Sequence, residues 1–283
     1  QSAEDGGDLQ EVNRLRVELT AEIERIYANT IGRPLPPEDA ERLNEFERQL
    51  GERVDELDSF GIIDKANPKI KGIDSKEYPA PTWEKIRAGF TPEKLRLISQ
   101  LENPTLVLVP DGMSMSEYTA KAGKDKSAPK RKLPWKKTSD IDLDSDKKGE
   151  LISGATAYQK DKAVHNGKTK AERLKEPGAL GWQVFVVDGG DEVPANTLGK
   201  SADALREEFK ATGFGGLSVE SSFALQMFGQ ARGKQFDVSK AGWLLESYLT
   251  NIGGRGVVLY SFWDGSHVYL HGREPGNSHG GLG

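Results

Sequence analysis

Asp264-Gly265 is the strongest local fold signal in the chain, because it stands between two β-rich runs, RGVVLYSFW and SHVYLHG. A two-residue type I′ turn needs positive φ at both central positions, and Asp-Gly supplies that at little cost. The dipeptide therefore predicts a C-terminal hairpin of strands 257–263 and 266–271 and sets their pairing. Trp263 is expected opposite Ser266, Tyr260 opposite Tyr269, and Val258 opposite His271. Directly paired residues share a face. One face then holds Val257, Leu259, Ser261, Trp263, Val268 and Leu270, and reads as core. The other holds Val258, Tyr260, Phe262, His267, Tyr269 and His271. That second face is aromatic yet has four polar handles, a make-up common in ligand and peptide surfaces. Displacing the reversal by one residue is expected to break this face up. The competing reading is that helices at 218–229 or 239–249 cover it and that its hydroxyls and imidazoles bond internally.

The remainder reads as an α+β chain. An abrupt charge switch marks the first boundary: residues 1–64 have seventeen acids and seven bases, every base an arginine, whereas the rest has 27 acids and 32 bases. Within 1–64, Leu9, Val12, Leu15, Leu19, Ile23 and Ile26 form one helical stripe, and Leu43, Phe46, Leu50, Val54, Leu57 and Phe60 form another. Pro36 and Pro37 open the second helix and Gly61 closes it. Two one-sided helices predict an antiparallel acidic hairpin, open to a protein partner or to a second copy through what it leaves uncovered. Residues 65–120 are expected to hold a linker or surface strap over 65–80, two short helices, and a buried strand at 105–109. Residues 121–150 read as a long charged loop. Residues 151–283 read as the rest of the body. It has a second buried strand at 183–187 and helices starting at Ser201, Ser218 and Ser239, and it ends in the hairpin. The strands 105–109, 183–187, 257–263 and 266–271 are expected in one small mixed or antiparallel sheet, flanked by helices.

Several stretches invite a chemical reading. SDIDLDSDKKGE places Asp140, Asp142, Asp144 and Asp146 at alternate positions. A helix–loop–helix calcium site wants glycine at its sixth position and a bidentate acid at its twelfth. Counting from Asp140 gives Ser145 and Leu151, and from Asp142 gives Lys147 and Ser153, so neither register fits. The ladder reads as a solvated loop neutralised by flanking lysines. Upstream, Lys121 to Lys137 has eight bases and one acid. Lys130, Arg131, Lys132, Lys136 and Lys137 around Trp135 offer phosphate neutralisation and a stacking ring. The acidic balance of the whole chain argues against nucleic acid as the main partner.

Serine 114, in DGMSMSEY, follows a strand, but Met113 and Met115 stand where a nucleophile elbow needs its glycine pattern. Helix capping accounts for it. Asp188 and Asp191 follow a buried strand, where α/β enzymes place catalytic carboxylates, and Asp-Gly-Gly turn formation explains them equally well. His267 and His271 lie about 13 Å apart at the ordinary strand rise, too far to share a metal unaided. No metal site and no cofactor motif emerges. The chain has no cysteine, so disulfides, thiolate sites and a cysteine nucleophile are excluded. No apolar run is long enough for a membrane helix. The chain reads as soluble, and the balance slightly favours the cytoplasm.

Two functional readings follow. The first is a non-enzymatic binding protein that uses Tyr260, Phe262, His267, Tyr269 and His271 as its recognition face. The second is a hydrolase-like enzyme with His267 or His271 as base and Asp188 or Asp191 as partner. Nucleic-acid binding through 121–137 ranks third.

Overall fold

The computed structural model describes residues 35–122, 135–137, 151–153, 158–159, 164–165, 168–190, 195–213, 215–233, 241–252, 255–263, 267–274 and 276. The chain divides into two compact units, Gln1–Asn44 and Glu45–Gly283, and the charge switch at Lys65 lies inside the second. The helix expected over 9–26 falls outside the described residues. The second expected helix is α1, Pro37–Ser59, with Glu38 and Asp39 in its first turn. Gly61, at φ 70°, ends it in the left-handed region that favours glycine. In the larger unit Phe46, Leu50, Leu57 and Phe60 are buried. Arg53, not Val54, completes that stripe. Its guanidinium lies 4.4 Å over the Phe228 ring and 2.9 Å from Glu56.

Residues 65–80 form a small hairpin, where a linker or strap is expected. Strand β1 (Lys69–Lys71) pairs antiparallel with β2 (Glu77–Pro79), Ile70 opposite Tyr78. Both of those side chains are buried, and the Trp182 indole donates to the Tyr78 carbonyl at 3.0 Å. Each strand buries one residue among lysines and prolines, too few for a period-two pattern to register. Helices α2 (Trp83–Arg87) and α3 (Pro92–Ile98) follow. The Thr91 hydroxyl accepts from the Lys94 amide, the N-cap its sequence implies. After strand β3 (Pro104–Val109) comes α4 (Met115–Ala122). There the Ser114 hydroxyl accepts from the Glu117 amide at 3.3 Å, so this serine acts as a helix cap.

Within 121–150, strand β4 (Trp135–Lys137) stands where a loop is expected. Strands β5 (Leu151–Ser153), β6 (Tyr158–Gln159) and β7 (Val164–His165) are short. Helix α5 (Lys170–Arg173) and strand β8 (Gln183–Asp188) precede α6 (Ala202–Thr212), which Ser201 caps and Gly213 ends at φ 81°. Helix α7 (Val219–Ala231) starts at a capping box of Ser218 and Ser221. Strands β9 (Gly242–Ile252), β10 (Arg255–Trp263) and β11 (Val268–Arg273) complete the described fold.

The single sheet expected from the sequence is two sheets. β3 and β8 pair antiparallel on their own, and the larger sheet runs β4-β11-β10-β9-β5. Helix α7 separates them, touching β3 on one side and β9 on the other. Every residue from Val219 to Gly229 is buried, which suits a helix with a single charge and no polar face. On the opposite face of the larger sheet, Ala202 and Leu205 of α6 pack with Trp243, Leu245, Val258 and Tyr260. The architecture is α+β: helices with small, mainly antiparallel sheets.

The helix expected from Ser239 is the long strand β9. Trp243 and Leu245 face α6, while Leu244 lies opposite Leu259. The segment satisfies a period of two as well as the three- and four-residue spacing, and the β10 edge beside it selects the strand.

The hairpin register differs from the expected one. Trp263 pairs with Val268, Phe262 with Tyr269, Tyr260 with His271, and Val258 with Arg273. Residues 264–267 lie between the two strands, and of these 264–266 fall outside the described residues. The centre of the reversal moves on by one residue, which shifts every partner by two, and with a side-chain period of two every residue keeps its face. The expectation that this displacement breaks up the face is thus corrected. Only an odd change in connection length exchanges the two faces.

Candidate functional site

Strands β10 and β11 stand a row of rings on one face of the larger sheet. The Tyr260 ring stacks on His271 with centroids 5.5 Å apart, and Phe262 stacks on Tyr269 at 5.4 Å. Tyr260–Phe262 at 6.3 Å and Tyr269–His271 at 6.2 Å close the block along each strand. The planes in these four contacts diverge by 14° to 22°. Rings this close and this parallel stack on each other instead of lying flat on the sheet.

His267 meets the edge of Tyr269 at 6.5 Å. At the inner end Trp243 of β9 meets Tyr260 edge-on at 5.8 Å, and its indole donates to the Lys200 carbonyl at 3.1 Å. The Arg273 guanidinium lies 5.9 Å from the Tyr260 ring centroid. Burial grades across the block: Tyr260 is 9% exposed, while Phe262, His267, Tyr269, His271 and Arg273 are half-buried. Helix α6 produces this gradient by packing on Val258 and Tyr260, with Phe209 and Phe262 at the margin of that cluster. Of the two helices expected to cover this face, 218–229 is α7 and lies on the other side, where Ser222 and Ser261 bond at 3.0 Å; 239–249 lies largely within β9.

Arg273 and Trp243 join the face without having been singled out in the sequence. Arg273 continues the alternation 267, 269, 271, so the pattern contained it. The expected register pairs Val258 with His271 and hides it. Trp243 reads as helical in isolation, and no local signal places it beside Tyr260.

The other candidates lie elsewhere. Asp188 is on β8, in the separate sheet, and its carboxylate accepts from the amides of Asn103 at 3.2 Å, Glu102 at 3.3 Å and Gly190 at 3.3 Å. The bond from Gly190 closes the turn that its Asp-Gly-Gly sequence implies, and those from Glu102 and Asn103 tie it to the segment before β3. Asp191, Lys130, Arg131, Lys132 and the aspartate ladder of 140–150 fall outside the described residues. Trp135, Lys136 and Lys137 form β4, which runs parallel to β11 with Lys136 opposite Tyr269. Among the described residues no group of three or more His, Asp or Glu side chains converges as a metal site, and no helix is long and apolar enough to cross a membrane.

A second concentration of ionisable groups, absent from the sequence reading, surrounds α7. The Lys170 ammonium is buried, donates to the Met113 carbonyl at 2.6 Å and lies 3.3 Å from the equally buried Glu220. Arg173 grips Asp111 through two nitrogens, at 2.6 and 3.3 Å. Burial alone raises the Glu220 pKa, but the charges of Lys170 and Arg173 outweigh it and hold the carboxyl below its ordinary range. Nearby, burial and the Glu220 charge push the Tyr118 phenol upward. The only sequence hint was that Glu220 is the sole charge in the stretch Val219–Ala231.

No known family profile, no curated protein and no solved structure matches the chain.

Proposed function

We propose that this is a non-enzymatic binding protein whose recognition surface is the outer part of the ring block: Phe262, His267, Tyr269 and His271, with Arg273 at its end. The observation that carries this reading is the burial gradient. Tyr260 is almost wholly buried under α6, whereas the next residues outward, Phe262, His267, Tyr269 and His271, stay half-buried. Edges rich in hydroxyl, imidazole and guanidinium groups suit a ligand with many hydrogen-bonding groups, such as a peptide backbone or a sugar. The N-terminal segment 1–64, read as an acidic helical hairpin, supplies a further place for a protein partner or self-association.

The hydrolase reading has less support. The carboxylate of Asp188 is engaged by three backbone amides in the other sheet, away from the histidines it would have to orient. Nucleic-acid binding through 121–137 rests on composition alone.

The test is an amide chemical-shift titration of the full chain against short peptides, oligosaccharides and nucleotides. One class is expected to shift resonances of 260–262 and 267–273, and Tyr269→Ala is expected to remove that response while the fold is retained. Shifts confined to other elements, or none with any class, would overturn the proposal. Hydrolysis of a p-nitrophenyl ester that His271→Ala abolishes would establish the enzymatic alternative in its place.

A further inference from the structure

The sheet of β3 and β8 has one sealed edge and one open edge. On β3, the Leu106 amide donates to the Gln49 side chain of α1 at 2.7 Å, so it points away from β8. Leu106 is opposite Val186. Residues in antiparallel pairs alternate between exchanging both backbone bonds and exchanging none. Leu106–Val186 is therefore a pair without mutual bonds, and the Val186 N–H and C=O also point outward. Two residues away, Val184 behaves alike. Gly189 fits the same alternation, since its amide donates to the Asn103 carbonyl at 2.8 Å. Among the described residues no strand pairs with this outer edge of β8.

The edge opens on a groove of about 460 Å³ between β8 and helices α2 and α3. Phe90, Leu97, Leu101 and Leu180 give it an apolar floor, and Leu180 is 54% exposed. Its lining includes two bases, Lys85 and Lys94, and no acid. Neither lysine makes an ion pair among the described residues. Natural edge strands are usually blunted by a proline, a bulge or an inward charge, and Val184-Phe185-Val186 has none of these.

We propose that β8 accepts an extended, acidic segment of a partner protein as an added strand. The segment pairs its backbone with Val184 and Val186, sets apolar side chains into the groove, and brings carboxylates to Lys85 and Lys94. Backbone pairing supplies the affinity of such a contact and the alternate side chains its selectivity. The outward amides call for a partner with backbone acceptors, and a lining with two exposed lysines and no acid favours an acidic segment over a basic one. This surface is independent of the ring block on the larger sheet.

The test uses the full chain and a fluorescein-labelled peptide of alternating glutamate and valine, seven residues long, followed by anisotropy. Saturable binding is expected. N-methylation of one alternating set of amides should weaken it at least tenfold, and methylation of the other set should be tolerated, because a strand presents only every second amide to its neighbour. The double variant Lys85→Glu with Lys94→Glu should weaken binding at least fivefold. Val186→Pro removes an outward donor without touching the β3 ladder, and should abolish binding. If that variant misfolds, the methylated peptides still decide the matter, since they leave the protein unchanged. Equal effects of both methylation patterns, equal binding of an alternating lysine–valine peptide, or no binding would each overturn the proposal. A dimer in sedimentation that Val186→Pro dissolves would assign the edge to a second copy and overturn it as well.

Discussion

The surroundings of α7 and the outer face of β10–β11 both concentrate titratable side chains, and they differ in what remains available. Around α7, Lys170 closes on Glu220 and Met113, and Arg173 closes on Asp111. Burial forces that closure, since an ion left without a partner in the interior costs several kcal/mol. On the hairpin, the rings stack on each other, and Phe262, His267, Tyr269, His271 and Arg273 remain half-buried. A density of ionisable residues therefore marks architecture where burial makes the groups terminate on one another, and the half-buried ring block is the place where the proposed recognition differs from it.

The comparison is broken most forcefully at the ion pair. Glu220→Ala leaves Lys170 without its buried counter-charge and is expected to cost about 3–5 kcal/mol, measured by urea unfolding. Replacing Lys170 and Glu220 together with methionine should recover most of that loss, because no charge is then stranded. A loss below about 1 kcal/mol for the single change would show that the pair does not hold α7 in place.

Acid sharpens the same point. The folded pKa of Glu220 lies below its unfolded value, so its contribution is complete above the ordinary carboxylate range and disappears as pH falls through the folded value. Unfolding midpoints measured downward from pH 7 should fall steeply in the acid limb. Glu220→Gln should flatten that limb, and an unchanged slope would contradict the assigned cause.

On the hairpin the expected effects are smaller in stability and larger in binding. Tyr269→Ala removes ring contacts with Phe262 and His271 and should cost about 1–2 kcal/mol of stability while eliminating ligand-induced shifts. His267→Ala, at the half-buried outer end of the block, should change stability by no more than about 0.5 kcal/mol. A larger destabilisation by His267→Ala than by Tyr269→Ala would reverse the proposed gradient from packing to recognition.

Local signals read well wherever one turn of chain decides the outcome. Thr91, Ser114, Ser201 and Ser218 cap helices as their sequences imply, because the cap and the amide it accepts from lie three residues apart. The division of the hairpin into two faces survived a shifted register because it depends on parity alone. Three things were out of reach. β9 fits two periods, β1 and β2 are too short to show one, and the split into two sheets depends on where α7 inserts. The ionic junction was hidden for a related reason: Asp111, Lys170, Arg173 and Glu220 are up to 109 positions apart in the chain.

The amino-acid order by itself determined the α+β class, the capped helix starts at Thr91, Ser114, Ser201 and Ser218, and which side chains of β10 and β11 share a face, since each follows from spacing within a few residues. Only the tertiary structure decided which of those faces is covered. The helix that lies on the rings and the helix that lies beneath them are capped and spaced much alike. Their places follow from burial against distant elements, as the nearly uncharged α7 is drawn between two sheets and the charged α6 is left to cover one end of the outer face.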